Sequence, residues 1–278
     1  MSLSLTVIGA GKVGQVLARC WQHAGAFRLQ QILNRSLPSA QRAAAFIGQG
    51  EALADWRDLG VADVWMLAVA DDQIAIVAEQ LKQRGLLRAG DIVFHCSGAT
   101  ASSVLTPLTA CGAQVASLHP VRSFADPAAV AERFAGTICS LEGDAGAVAC
   151  LEQALQACAA QTVQIRAEAK LVYHAAAVFA SNYLVTLMET ALQAYQAAGV
   201  SPDMALKMAA PLARQTLENV FRSGTTAALT GPIARGDRQL VARQSAAVAG
   251  WDAAAGALYE AMIPLTQQIA ERQRHSEK

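Results

Sequence analysis

A short glycine pattern near the N-terminus limits the folds open to this chain more than any other feature. An apolar, β-branched run from Leu3 to Ile8 leads into Gly9-Ala10-Gly11-Lys12-Val13-Gly14. Val13, Val16, Leu17, Cys20 and Trp21 then recur at helical spacing. Strand, G-x-G-x-x-G and helix in that order is the context in which the pattern has a physical meaning. The first glycine makes a tight turn. The second lets backbone approach a pyrophosphate, and the third lets the helix pack on the strand. Unpaired N–H groups at the helix start then face the phosphates. Gly9, Ala10, Gly11, Lys12, Val13 and Gly14 are therefore expected to hold a dinucleotide. The competing reading is a glycine-rich turn with no ligand.

The second apolar run, Arg28 to Leu33, ends in Asn34-Arg35-Ser36. An NAD-selective site carries a carboxylate about 20 residues after the glycines, on the ribose 2′-hydroxyl. Here Asn34 takes that place. A carboxylate would repel a 2′-phosphate, whereas a guanidinium and a hydroxyl bind one with charge-assisted hydrogen bonds. Asn34, Arg35 and Ser36 thus predict NADP over NAD, the alternative being an ordinary exposed arginine in a loop.

Further strands are expected over 62–70, 90–98, 113–121, 136–143 and 160–166, and the first of these is apolar throughout, as a strand covered on both faces should be. The pattern predicts an α/β fold with a Rossmann-type, doubly wound, mostly parallel sheet. Ligands sit outside the carboxyl ends of such strands. That singles out Ala68, Val69 and Ala70 with Asp71 beside them, Ser97 and Gly98, and His119 before Pro120. Ala68, Val69, Ala70, Ser97 and Gly98 are expected to flank the cofactor. His119 is a candidate substrate contact, or a structural histidine satisfied by backbone.

From Glu168 the pattern turns helical, so a dinucleotide-binding domain over 1–166 and an all-helical domain over 167–278 are expected. One helix of about 30 residues should run to a cap at Gly199. A second should start at Ser201-Pro202 and kink at Pro211.

Within the first helix, Lys170, His174, Ser181 and Asn182 interrupt an otherwise apolar stretch from Lys170 to Leu187. At ~100° per residue, His174 lies roughly 40° and Ser181 roughly 20° round from Lys170, with Asn182 at the stripe's edge. A water-lined cleft against the strand ends would account for such a stripe. Lys170 and His174 can supply a proton or stabilise developing charge during hydride transfer. Lys170, His174 and Asn182 are thus candidate catalytic residues, and Ser181 a substrate contact. The bland reading has Lys170 snorkelling from the helix start and the others bonded to backbone. In Gly231–Asp237, Arg235 could clamp a substrate anion and Asp237 could bind substrate or simply cap the next helix.

Lys plus Arg and Asp plus Glu are both 22, so no basic excess points to nucleic acid. Six cysteines without C-x-x-C spacing or a histidine cluster argue against a metal and for a reduced, cytoplasmic protein. The apolar run after Lys170 lacks basic flanks and an aromatic belt, so a buried helix is expected rather than a membrane span.

The glycine motif, His119-Pro120, the Tyr173–Leu187 run and Leu229–Asp237 together resemble a group of NADP oxidoreductases that join a Rossmann-like half to a helical domain of unknown function. That group is similar to the wider 6-phosphogluconate dehydrogenase-like superfamily, with β-hydroxyacid dehydrogenases, ketopantoate reductase and pyrroline-5-carboxylate reductase. The resemblance implies a homodimer through the helical domain and hydride transfer with a small carbonyl, imine or hydroxy-acid substrate. Several superfamily members place a Lys and, four residues on, an Asn on this helix. Lys170 matches the Lys, but His174 stands at the Asn position. A non-catalytic NADP-binding sensor or interaction protein is the alternative.

Overall fold

The structure, a computed structural model, describes residues 2–276. It opens with β1 (Ser4–Ile8), α1 (Lys12–Ala24), β2 (Arg28–Leu33), α2 (Leu37–Ile47), β3 (Glu51–Leu53), β4 (Val64–Leu67), α3 (Ile74–Gln83) and β5 (Ile92–His95). β6 (Gln114–Pro120), α4 (Pro127–Glu132), β7 (Ile138–Gly143), α5 (Ala145–Ala157) and β8 (Gln161–Gln164) follow, and then α6 (Lys170–Ala180). The strands form one sheet in the order β3-β2-β1-β4-β5-β6-β7-β8, parallel except for the β6–β7 pair.

Side-chain alternation explains why both faces are covered. Along β4, Val64 and Met66 enter one core with Leu17, Trp21 and Leu151, while Trp65 and Leu67 enter a second with Ile74, Leu81 and Leu105. β5 does the same with Phe94 on the first face and Val93 on the second. Successive residues facing two cores leave no polar position, which is why these strands read as unbroken apolar runs. Trp21 anchors α1, edge-on to Phe27 at 5.2 Å and Phe94 at 5.9 Å.

The strand topology agrees with the expected doubly wound sheet. β3 was outside the sequence expectation: three residues at a sheet edge are too few to show a period.

The chain divides after Ser181 into two compact units. The expected boundary near residue 166 is thus displaced, because α6 stays with the sheet through a buried ion pair described below. The expected 30-residue helix is two: α6 ends at Ser181, whose φ of −126° and ψ of −68° are not helical. In the second unit, α7 (Asn182–Ala197) packs on α8 (Pro202–Ala228), and α9 (Arg238–Trp251) and α10 (Ala253–Ser276) pack together, with α10 also on α8. The interruption in α8 lies at Gly224 (φ 80°, ψ 164°) rather than at Pro211.

Candidate functional site

The glycine loop joins β1 to α1. Gly9 has φ +85°, and a Cβ there would stand 2.5 Å from Val69 Cγ1 and 2.9 Å from the Ala68 carbonyl oxygen. A Cβ on Gly14 would stand 2.7 Å from Ala68 Cβ. Both glycines are therefore required by the close approach of β4. Gly11 faces open space, with nothing within 4 Å. No side chain caps α1, which leaves its first-turn N–H groups open to a ligand. A cradle of this form fits a dinucleotide pyrophosphate.

A groove of about 680 Å³ leads from Gly9–Gly11 past Asn34, Arg35, Ser36, Arg42 and Trp56 to Ala68–Ala70. None of its lining residues is acidic. Asn34 differs from expectation in one respect. Its Oδ1 accepts from the Ala10 N–H at 2.7 Å and its Nδ2 donates to Ser39 Oγ at 3.1 Å. The side chain is committed to holding the loop, whereas Arg35, Ser36 and Arg42 line the groove beside it.

A second groove, about 470 Å³, shares Gly11 and Ala68–Ala70 with the first and continues to Asp71, Ser97, Gly98, His119 and His174. Ser97 Oγ donates to Asp71 Oδ2 at 2.7 Å and accepts from the N–H groups of Ala99 and Thr100. The β4 and β5 ends are thereby tied together. His119 meets the Tyr173 hydroxyl through Nδ1 at 3.1 Å. Its ring stands edge-on to His174, with centroids 5.6 Å apart. Burial, with the neighbouring charges of His174 and Lys170, pushes the His119 imidazole down to about 4, so it is neutral near pH 7. Nδ1 of His174 is buried without a hydrogen-bond partner.

Lys170 corrects an expectation. Its side chain does not face a water-lined cleft with His174 but is 2% exposed. The ammonium donates to Glu142 Oε1 at 3.1 Å and to Ser117 Oγ. Glu142 in turn accepts from Ser102 N at 2.7 Å and Ser102 Oγ at 2.6 Å. Lys170 begins α6, and a charge buried there needs a fixed counter-charge. β7 supplies one. The helical-wheel argument failed here because Lys170 and His174, one turn apart, point to a strand and to the groove respectively.

Ser181 and Asn182 are exposed at the break between the two units. In the second unit Arg235 is exposed in the 231–237 turn, and Asp237 Oδ1 accepts from Leu240 N at 3.0 Å, capping α9. The capping alternative for Asp237 accounts for its contacts.

Four residues at or under these grooves carried no expectation of their own: Tyr173, Arg42, Trp56 and Glu142. The lone carboxylate in "ICSLEG" was the available signal for Glu142, since a charge inside an apolar strand requires a buried partner. Tyr173 stood beside His174 in sequence, but adjacency on a helix does not reveal which strand its hydroxyl meets.

Residues 1–120 match the model of the Rossmann-like domain family, and residues 137–266 match that of DUF2520, a domain of unknown function. No curated protein matches the chain. Among solved structures, the chain is similar to a Thermotoga maritima protein at 26% identity and TM-score 0.76, over 97% of this chain and 99% of that one. It shares its fold with the pyrroline-5-carboxylate reductase of Coxiella burnetii at 17% identity and TM-score 0.60, over 99% and 98% of the two chains. It does so also with the Plasmodium falciparum pyrroline carboxylate reductase, solved with NADP bound, at 13% identity and TM-score 0.58, over 96% and 98%.

Proposed function

We propose that this protein is an NADP-dependent oxidoreductase that moves hydride to or from a small carbonyl, imine or hydroxy-acid substrate. The observation that carries the reading is the adjacency of the two grooves. The open glycine cradle and the His119–His174 pair line neighbouring grooves that share Gly11, Ala68, Val69 and Ala70 as common wall.

NADP, when bound, supplies the hydride chemistry. The residues of the chain hold and orient it. Gly9–Gly14 and the first turn of α1 receive the phosphates, and Arg35, Ser36 and Arg42 favour the 2′-phosphate over a free hydroxyl. Neutral His119 can donate one hydrogen bond from its free Nε2 to a substrate oxygen or nitrogen. His174, whose ring lines the same groove, is placed to exchange the proton that accompanies hydride transfer.

Leu206, Leu212, Phe221 and Leu265 are exposed by half or more on the helices of the second unit. We propose that a second copy of the chain covers them, giving a homodimer. Ala167–Ala197 is long and apolar enough to cross a membrane by length and composition. A subunit contact is the better reading, because Lys170 is ion-paired to the sheet and the helix breaks at Ser181. Six unpaired cysteines support a reducing, cytoplasmic setting.

The test is NADPH oxidation across 2-oxo acids, 3-oxo acids and cyclic imines, with NADPH and NADH affinities measured alongside. Turnover on one class supports the proposal. Tight NADPH binding with no turnover on any of them points to a sensor, and absence of NADPH binding removes both readings.

A further inference from the structure

Two ring nitrogens converge on one residue that has no side chain. A methyl group on Gly98 would stand 2.8 Å from His119 Nε2 and closer still to His174 Nδ1. The two imidazoles therefore pack directly on the Gly98 backbone at the β5 end, where only glycine fits, and both rings line the second groove. His174 Nδ1 has no partner there. His119 Nε2 has no protein hydrogen bond, its contact to Tyr173 being made through the opposite ring nitrogen.

Which nitrogen of a neutral imidazole carries the proton is set by what the other one meets. For His119 that is the Tyr173 hydroxyl, 3.1 Å from Nδ1, with the rings edge-on at 89°. Burial raises the Tyr173 phenol, so the O–H stays protonated; the Ser140 hydroxyl beside it can donate to its oxygen, which leaves the phenolic proton for another acceptor. An unprotonated Nδ1 provides it.

We propose that Tyr173 is a positioning residue that holds His119 in its Nε2–H tautomer, so that Nε2 donates into the groove it shares with Gly98 and the His174 ring. The arrangement offers the groove one fixed donor, with the His174 ring packed edge-on beside it. It selects a ligand with a hydrogen-bond acceptor there, such as a carbonyl, hydroxyl or imine. The role as a substrate contact rests on the oxidoreductase reading, whereas the tautomer does not.

The tautomer is read directly by long-range ¹H–¹⁵N NMR of ¹⁵N-histidine-labelled full-length protein without cofactor, with His119→Asn assigning the signals. The expected result at pH 7 is a pyrrole-like Nε2 and a pyridine-like Nδ1 for His119 in the wild type. Tyr173→Phe, which removes only the hydroxyl, should shift His119 toward a mixture of tautomers. A protonated Nδ1 in the wild type overturns the proposal, as does an unchanged tautomer in a folded Tyr173→Phe variant. If Tyr173→Phe does not fold, the wild-type spectrum alone decides. On any substrate that turns over, Tyr173→Phe should lower kcat while leaving KM for NADPH within twofold. Failure of every substrate with the expected tautomer intact would sink the enzymatic reading and leave the tautomer assignment standing.

Discussion

The Lys170 ammonium lies 3.1 Å from Glu142 Oε1, with side chains only 2% and 4% exposed. The pair clamps the first residue of α6 to β7, and Ser117, which receives a second bond from Lys170, passes the contact on to the Ser97 carbonyl at 3.3 Å. A lysine expected to work in the chemistry instead supports the floor beneath it.

Removing one partner strands the other charge in a dry site. Lys170→Ala should therefore destabilise by about 3–5 kcal/mol. The double replacement Lys170→Met with Glu142→Gln should recover part of that loss, because the glutamine carbonyl still accepts from Ser102 while no charge is left buried. Urea unfolding of the three proteins checks this; a Lys170→Ala protein as stable as the parent would contradict the burial of the pair.

His174→Ala should act differently. The ring lines the groove and makes no hydrogen bond through Nδ1, so folding stability should change by less than about 1 kcal/mol while turnover falls by about 10²–10⁴. Unfolding curves and NADPH-oxidation rates measured on the same preparation separate the two effects.

Gly98→Ala tests the crowding at the β5 end. The added methyl would meet both imidazoles, forcing at least one to move at a cost of about 1–3 kcal/mol. The His119 and His174 NMR signals should both shift. Unmoved signals in a stable variant would mean that the two rings do not converge there.

Arg35→Ala should reduce the preference for NADPH over NADH by about tenfold, mostly through weaker NADPH binding, since a charge-assisted hydrogen bond contributes about 1.5–3 kcal/mol. Fluorescence titration with both cofactors gives the ratio, and an unchanged ratio would remove Arg35 from the 2′-phosphate site.

His95 makes stability depend on pH. Its ring is fully buried, and burial, followed by the Lys170 charge, pushes it down from 6.5 to about 4. The unfolded chain binds a proton below about 6.5 that the native protein refuses until about 4, so stability should be full above that upper limit and fall as the pH drops through this window. The loss due to His95 approaches about 3 kcal/mol. Unfolding midpoints between pH 7 and 4 should fall less steeply in His95→Gln.

The fold was legible where a physical period was long enough to see. Leu3 to Trp21 announced strand, turn and helix, and the apolar run of β4 announced a strand covered twice. β3 was hidden by its brevity. The start of α6 was misread for another reason: helical spacing fixes which residues share a stripe but not how sharply a neighbouring strand divides that stripe. Lys170 was taken by Glu142, and His174 was left to the groove. Glu142 left a sign in the sequence as a lone carboxylate in an apolar strand, but its partner, like that of the Tyr173 hydroxyl, became visible only once β6 and β7 were known to lie side by side.

Asn34 carries a practical consequence. Engineers who want to switch a nucleotide-binding protein between its two common electron carriers usually begin with the residue at the end of the second strand. In this chain that residue is also the latch of the glycine turn, bonded to Ala10 on one side and Ser39 on the other. An aspartate there would keep the acceptor for Ala10 but could hold Ser39 only if that hydroxyl turned to donate, so a change at this position also reworks the bonds that fix the glycine turn. Arg35 and Arg42, which have no such second duty, are the better handles.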